Sequence, residues 1–264
     1  MYVNEERQAL RDKILAFVRE NQEFTCLLQI GSGAEGFTDI YSDIDLMAGC
    51  VDAPAVERAN KKLWEFFENS GTVYIDRRKW ADHVLGFSAY WENGLSVDLS
   101  FMPASDMPIL SKKWQLLWSK DDVLESSLKE KSDQLAPNAV VVDGSYHHAF
   151  FYLLRKAEIA LCRKDYVYTE MVLNEARQKL LLVEAIIEGK KLHQFKAYHS
   201  LNHAFLASVE KTYPCSLTSV ALNQAKNALL GLYVHLVEAN GLCPIDNSQF
   251  KIINCFAKYD CTGE

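Results

Sequence analysis

No stretch of this sequence approaches the roughly 18 to 20 consecutive apolar residues that a membrane-spanning helix requires. The opening Met1–Arg11 is polar and of mixed charge, which speaks against a signal peptide. There is no CxxC pair. The seven cysteines (Cys26, Cys50, Cys162, Cys215, Cys243, Cys255 and Cys261) are scattered and odd in number, so neither a zinc site nor a disulfide framework is indicated. Reduced thiols and a cytoplasmic location are the expectation. A basic excess is missing as well. Lys and Arg number 28 against 35 Asp and Glu, a formal charge of -7. A broad nucleic-acid footprint needs a basic face, so nucleic acid is not the expected partner, and a cationic small molecule suits the charge better. No internal repeat or low-complexity tract interrupts the chain. At 49% hydrophobic and 24% charged residues, the composition is that of a globular protein with room for one or two domains.

The patterns that are present divide the chain. Leu10, Ile14, Phe17 and Val18 recur at helical spacing across residues 5–20. Phe24 to Ile30 is a short apolar run ending at Gly31, as in a buried strand. A second strand is expected over 43–49, and a helix over 55–69 closed by Ser70-Gly71. Strands are expected at 72–76 and 84–91, and Asn93-Gly94 is a hairpin signal. The strand after it alternates, with Leu95, Val97, Leu99 and Phe101 on one face and Ser96, Asp98 and Ser100 on the other. Residues 104–143 are mixed, with Pro108, Pro137 and the polar stretch Lys129 to Asp133, and a domain boundary is placed there. From Ser145 onward the pattern is helical, near 145–163, 167–188, 199–210 and 217–239, with Gly189 and Gly241 as stops. The expectation is an α/β first half and an all-helical second half.

The chemistry concentrates in Asp43-Ile44-Asp45, which follows Gly31-Ser32 after ten intervening residues. Side chains i and i+2 of a strand share a face. Asp43 and Asp45 therefore project together while Ile44 faces the core. Two carboxylates on one strand suit Mg2+, which takes one or two protein carboxylates and fills its other positions with water and substrate phosphates. The Gly31-Ser32-Gly33 turn offers backbone N–H groups and a hydroxyl to phosphate oxygens. A third acid is needed as shared ligand or as base for an attacking hydroxyl, and Asp98, on the polar face of its strand, is the candidate. The reaction these parts suit is attack of a hydroxyl on the α-phosphorus of a nucleoside triphosphate, with pyrophosphate leaving. A D-x-D alone is a weak signal, because exposed strands often carry alternating acids. Its combination with the apolar strand, the Gly-Ser turn and the later acid is specific.

Residues 28–47, LQIGSGAEGFTDIYSDIDLM, resemble the signature of the DNA polymerase β-like nucleotidyltransferase superfamily. YSDIDL resembles in particular the antibiotic nucleotidyltransferases that adenylylate aminoglycosides or lincosamides. The resemblance implies an α+β fold: a mixed-sheet nucleotidyltransferase domain with flanking helices at 1–135 and a helical bundle at 136–264. It implies Gly31, Ser32 and Ser42 at the nucleotide, Asp43, Asp45 and Asp98 at Mg2+, and ATP as the donor. The partner it implies is a small, antibiotic-like acceptor with a hydroxyl. Monomer and homodimer both stay open, the apolar helices of the second half offering an interface. It also implies a basic residue from the first bundle helices at the triphosphate. Arg155, Lys156, Arg163 and Lys164 qualify, and LCRKDYVY (161–168) favours Arg163 or Lys164. Cations at a helix end are ordinary on other grounds.

Other residues carry less. His147-His148 reads as an exposed cap region. His199 and His203 have the spacing of a two-histidine metal site on a helix, but with no third ligand evident a surface or packing role is preferred. Trp91 is read first as core or interface; it and Tyr90 are candidates, unranked, to border the acceptor pocket, and Glu35 and Glu92 are candidates to oppose a cationic acceptor, while Tyr166 and Tyr168 are expected to pack rather than stack on a base. Two other functions fit the same motif: transfer to a protein or tRNA, and non-catalytic nucleotide binding.

Overall fold

The computed structural model describes residues 3–37, 42–135, 140–190 and 197–254. The chain divides into two compact units, Met1–Leu135 and Ala136–Glu264. Together they are α+β, as expected.

The first unit contains α1 (Asn4–Glu20), β1 (Phe24–Ile30), a 3-10 turn (Gly31–Glu35), β2 (Ile44–Cys50), α2 (Ala53–Glu68), β3 (Thr72–Ala81), β4 (Val84–Trp91), β5 (Ser96–Pro103), β6 (Trp114–Ser119) and α3 (Leu124–Asp133). The sheet order is β3-β4-β5-β2-β1-β6. Only the β2/β5 pair is parallel; the others are antiparallel, so the sheet is mixed. Alternation decides its two faces. Ile44, Leu46, Ala48, Phe87, Ala89, Val97, Leu99 and Phe101 share a core with Leu10, Ile14 and Val18 of α1 and Ala55, Val56, Ala59, Leu63 and Phe67 of α2. The other face holds a smaller cluster, Cys26, Leu28, Met47, Met102, Met107, Ile109 and Leu128. Asp52 caps α2, its Oδ1 accepting from the Ala55 amide at 2.7 Å. Glu23 is buried and accepts from Arg58 and Lys62 of α2, both at 2.9 Å, so one carboxylate staples α2 to the start of β1.

The sequence pattern located α1, β1, β2, α2, β4 and β5 to within a few residues. It missed β6 and α3 inside the stretch treated as mixed, and stopped β3 at 76 although it runs to Ala81. The two strand errors share a cause. β3 and β6 are the sheet's two edges, and their exposed, charged or mixed residues do not alternate apolar and polar.

The second unit contains α4 (Gly144–Cys162), α5 (Tyr166–Ile187), α6 (His203–Glu210), α7 (Ser219–Ala239) and α8 (Asn247–Asn254). Its core is built on Phe150, Phe151, Leu154, Leu173, Leu180, Leu222, Leu229 and Tyr233. His147 is fully buried in this core, not exposed as the sequence suggested. Its Nε2 lies 2.8 Å from the Cys243 carbonyl and its Nδ1 2.8 Å from the Tyr233 hydroxyl. The carbonyl can only accept, so Nε2 carries the proton and Nδ1 accepts from Tyr233. His148 is exposed. His199 falls in a separate short turn and His203 begins α6, so the two do not share a helix face; both are exposed.

Cys26, Cys50, Cys215 and Cys243 are free thiols, with burial pushing Cys50 up to about 12. Cys162 is disulfide-bonded, contrary to the expectation of reduced cysteines throughout. Among the described residues, no helix is long and apolar enough to cross a membrane.

Candidate active site

The site is assembled by strand register. β1 and β2 are antiparallel, pairing Gln29 with Leu46, so the end of β1 lies beside the start of β2. Gly31 leaves β1 with φ +68, its amide donating to the Lys113 carbonyl at 3.2 Å. It comes so close to Asp45 that a Cβ there would stand 2.6 Å from Oδ2. Gly33 is equally enforced: a Cβ would stand 2.0 Å from Nε2 of the buried Gln29 and 2.9 Å from the Phe37 ring. The two glycines let the turn settle against the sheet, within reach of the acids.

Parallel pairing of β2 with β5 sets Asp45 opposite Asp98. Antiparallel pairing then sets Ser88 of β4 opposite Asp98, and Asp76 of β3 opposite Ser88. Residues in register share a face, so Asp45, Asp98, Ser88 and Asp76 form a row across four strands on the face away from α1 and α2. Asp43 stands at the entry to β2, its Oδ1 accepting a short hydrogen bond from the Ser96 hydroxyl of β5. Asp98 Oδ1 accepts a short bond from the Ser88 hydroxyl. Arg78 of β3 adds a cation, its Nη1 4.0 Å from Asp98 Oδ1 and its Nε 3.3 Å from Asp76 Oδ2. The hydrogen bond to Asp76 pushes the Arg78 guanidinium above its ordinary value. Asp98 and Arg78 are both about half open to solvent.

The donor set, carboxylate oxygens from three aspartates beside a glycine turn that packs on one of them, has the hard-ligand chemistry that Mg2+ takes. Among the described residues, no three His, Cys, Asp or Glu side chains are gathered into a preformed metal centre. The hydrogen bonds give a reason: Asp43 and Asp98 are each turned toward a serine hydroxyl.

The sequence-derived candidates fall as follows. Gly31, Asp43, Asp45 and Asp98 come together at one end of the β2/β5 pair. Ser32 lies in the 3-10 turn, half-buried. Ser42 immediately precedes Asp43, and its carbonyl accepts from Arg7 at 2.9 Å. Arg163 and Lys164 belong to the second unit, at the stop of α4. Lys164 takes the left-handed position, φ 59, that helix stops usually give to glycine. Of Tyr90 and Trp91, Tyr90 shares the face of Ser88, whereas Trp91 packs against Phe67 on the helical side and donates to the Ser70 carbonyl at 3.0 Å. Glu35 pairs with Lys113 at 2.8 Å. Arg7, Arg78, Ser88, Ser96 and Lys113 had no part in the motif. Ser96 was visible on the polar face of its strand; the others reach the site through pairings with no local signature.

Fold and site together define an α+β chain that presents three aspartates beside a glycine turn on one sheet face. No family model matches the sequence, and no curated protein matches it. Among solved structures, the chain is similar to an aminoglycoside 6-adenyltransferase from Bacillus subtilis, with TM-score 0.41 and 14% identity, covering 96% of this chain and 97% of that one. It is also similar to a nucleotidyltransferase-like protein from Exiguobacterium sibiricum 255-15, with TM-score 0.37 and 13% identity, over 97% of this chain and 81% of that one.

Proposed function

We propose that this chain is a nucleotidyltransferase that moves a nucleoside monophosphate, AMP from ATP in the first instance, onto a hydroxyl of a small molecule and releases pyrophosphate. The observation that carries the reading is the pairing of Asp45 with Asp98 on adjacent parallel strands, with Gly31 packed on the Asp45 carboxylate. Asp43, Asp45 and Asp98 are the residues that would hold Mg2+. The ion's contribution is to offset charge on the phosphates and on the attacking and leaving oxygens. Gly31 and Ser32 offer the turn's N–H groups and hydroxyl to the triphosphate, with Ser42 beside them. Asp98, half open to solvent, accepts the proton of the acceptor hydroxyl. Arg163 or Lys164 supplies positive charge to the leaving pyrophosphate. The acceptor class we favour is an aminoglycoside or a lincosamide. An overall acidic chain favours cationic acceptors over nucleic acid.

The test is pyrophosphate release by the full chain with Mg2+ and each of four nucleotides, against a panel of aminoglycosides and lincosamides. Acceptor-dependent release that Asp43→Asn or Asp45→Asn abolishes, with the fold retained, is the expected result. Wild-type turnover in either variant would refute the metal assignment. Nucleotide binding without release across the panel would refute the acceptor class and redirect it to another metabolite or a macromolecule.

A further inference from the structure

Arg7 is an arginine on α1 with no solvent exposure. A buried guanidinium is expensive unless its donors are used, so its contacts identify what the fold gains by keeping it. Nη1 donates to the Ser42 carbonyl at 2.9 Å and Nη2 to Asn4 Oδ1 at 2.6 Å. The flat face of the group lies over the Phe37 ring, with Cζ 3.7 Å from the centroid. Phe37 in turn packs its ring edge against Gly33 of the phosphate-side turn. One side chain therefore touches the chain on both sides of residues 38–41: the ring seated on the glycine turn, and the peptide that leads into Asp43.

We propose that Arg7 is a positioning residue for Asp43, fixing the metal-binding acids relative to the Gly31-Ser32 turn. The inference rests on the nucleotidyl-transfer reading above. A carbonyl accepts best near its own plane. The Nη1 bond thus sets the orientation of the Ser42 peptide, and with it the direction in which the Asp43 side chain leaves the backbone. Asp43 is then held from the far side by Ser96 of β5. The planar fork matters as much as the charge. Arginine presents two donors and a stacking face at once, whereas a lysine ammonium is a point donor without a stacking face. Partners that orient a metal ligand typically contribute 10- to 100-fold in metal affinity.

The experiment uses the full chain as wild type, Arg7→Lys, Arg7→Met, Asp43→Asn and the double variant Arg7→Lys/Asp43→Asn. Mn2+, a paramagnetic substitute for Mg2+, is titrated by EPR in the presence of ATP, and urea unfolding is recorded for each protein. The expected result is about tenfold weaker Mn2+ binding in Arg7→Lys, with no further loss when that change is added to Asp43→Asn. A merely structural arginine would instead lower stability and add its effect to that of Asp43→Asn. Wild-type Mn2+ affinity in folded Arg7→Lys and Arg7→Met would overturn the proposal, as would additivity in the double variant. If Arg7→Met fails to fold, Arg7→Lys and the double variant still decide. A wild type that binds no Mn2+ with ATP, indistinguishable from Asp43→Asn, would overturn the nucleotidyl-transfer reading itself, and this inference with it.

Discussion

Replacing Gly31 by alanine separates the stability of the site from its function. The new Cβ would sit 2.6 Å from Asp45 Oδ2, about 0.8 Å inside ordinary contact. The atom in its way is the end of a short side chain, so the conflict is relieved by turning the Asp45 carboxylate aside rather than by opening the sheet. The remaining cost is backbone: alanine at φ +68 loses about 1 to 2 kcal/mol relative to glycine. The protein should therefore stay folded and lose about that much stability in urea unfolding. Displacement of Asp45 by nearly an ångström is a different matter for catalysis, where misplacement of that order costs about 10²-fold. The assay pairs unfolding with pyrophosphate release at saturating nucleotide. Full activity in a folded Gly31→Ala protein would refute the reasoning. It would mean either that Asp45 is not a working ligand or that the turn is free to retreat from it.

Three further outcomes follow from other parts of the chain. Asp98→Asn should lower the chemical step by about 10²-fold or more with the fold intact if Asp98 takes the acceptor proton, and an unchanged single-turnover rate would move that role elsewhere. Glu23→Gln should cost about 1.5 to 3 kcal/mol at neutral pH, the range for hydrogen bonds to a charged group. Hydrogen bonds from Lys62 and then Arg58 hold Glu23 below its ordinary value of 4.5. A depressed folded-state value means that the contribution is complete above the unfolded value and fades as pH falls below it. The wild-type advantage over Glu23→Gln should therefore shrink in unfolding curves taken below about pH 4.5; a pH-independent gap would refute the ion pairing as its source. Lys164→Gly relieves a non-glycine residue at φ 59 and should raise stability by about 1 kcal/mol. A simultaneous fall in turnover would place the lysine at the triphosphate; unchanged turnover would leave it a helix stop.

The parts of the fold that were legible in the sequence share one property: one clean period over enough residues. Leu10, Ile14 and Val18 mark α1, and Leu95, Val97, Leu99 and Phe101 mark β5, because each set faces a single apolar surface. β6 and α3 lacked that contrast. His147 illustrates a second limit. A polar residue in a core is made acceptable by a hydroxyl 86 positions away and a carbonyl 96 positions away, and no window of sequence contains either. Asp43 and Asp45 could be named because their spacing is local, and Asp98 because its own strand alternates. Their companions could not, since Arg7 meets Ser42 across 35 positions and Ser96 meets Asp43 across 53.

Those long-range companions show why the site depends on the core behind it. Asp98 projects toward Asp45 only because Val97 and Leu99 on either side of it are buried against α1 and α2. A slip of one residue in the β2/β5 register would exchange the two faces of β5, burying Asp98 against Phe67 and Phe87 and turning Val97, Leu99 and Phe101 outward. The free energy that forbids this is hydrophobic: burying one Leu or Val is worth about 1.5 to 3 kcal/mol, and burying an unpaired carboxylate costs more. The apolar alternation of β5 is therefore what orients its acid. Truncations on the helical face, such as Leu99→Ala, should act on the site through register and packing although they touch none of its polar atoms. The site's residues are few, but the precision with which they meet is a property of the whole sheet.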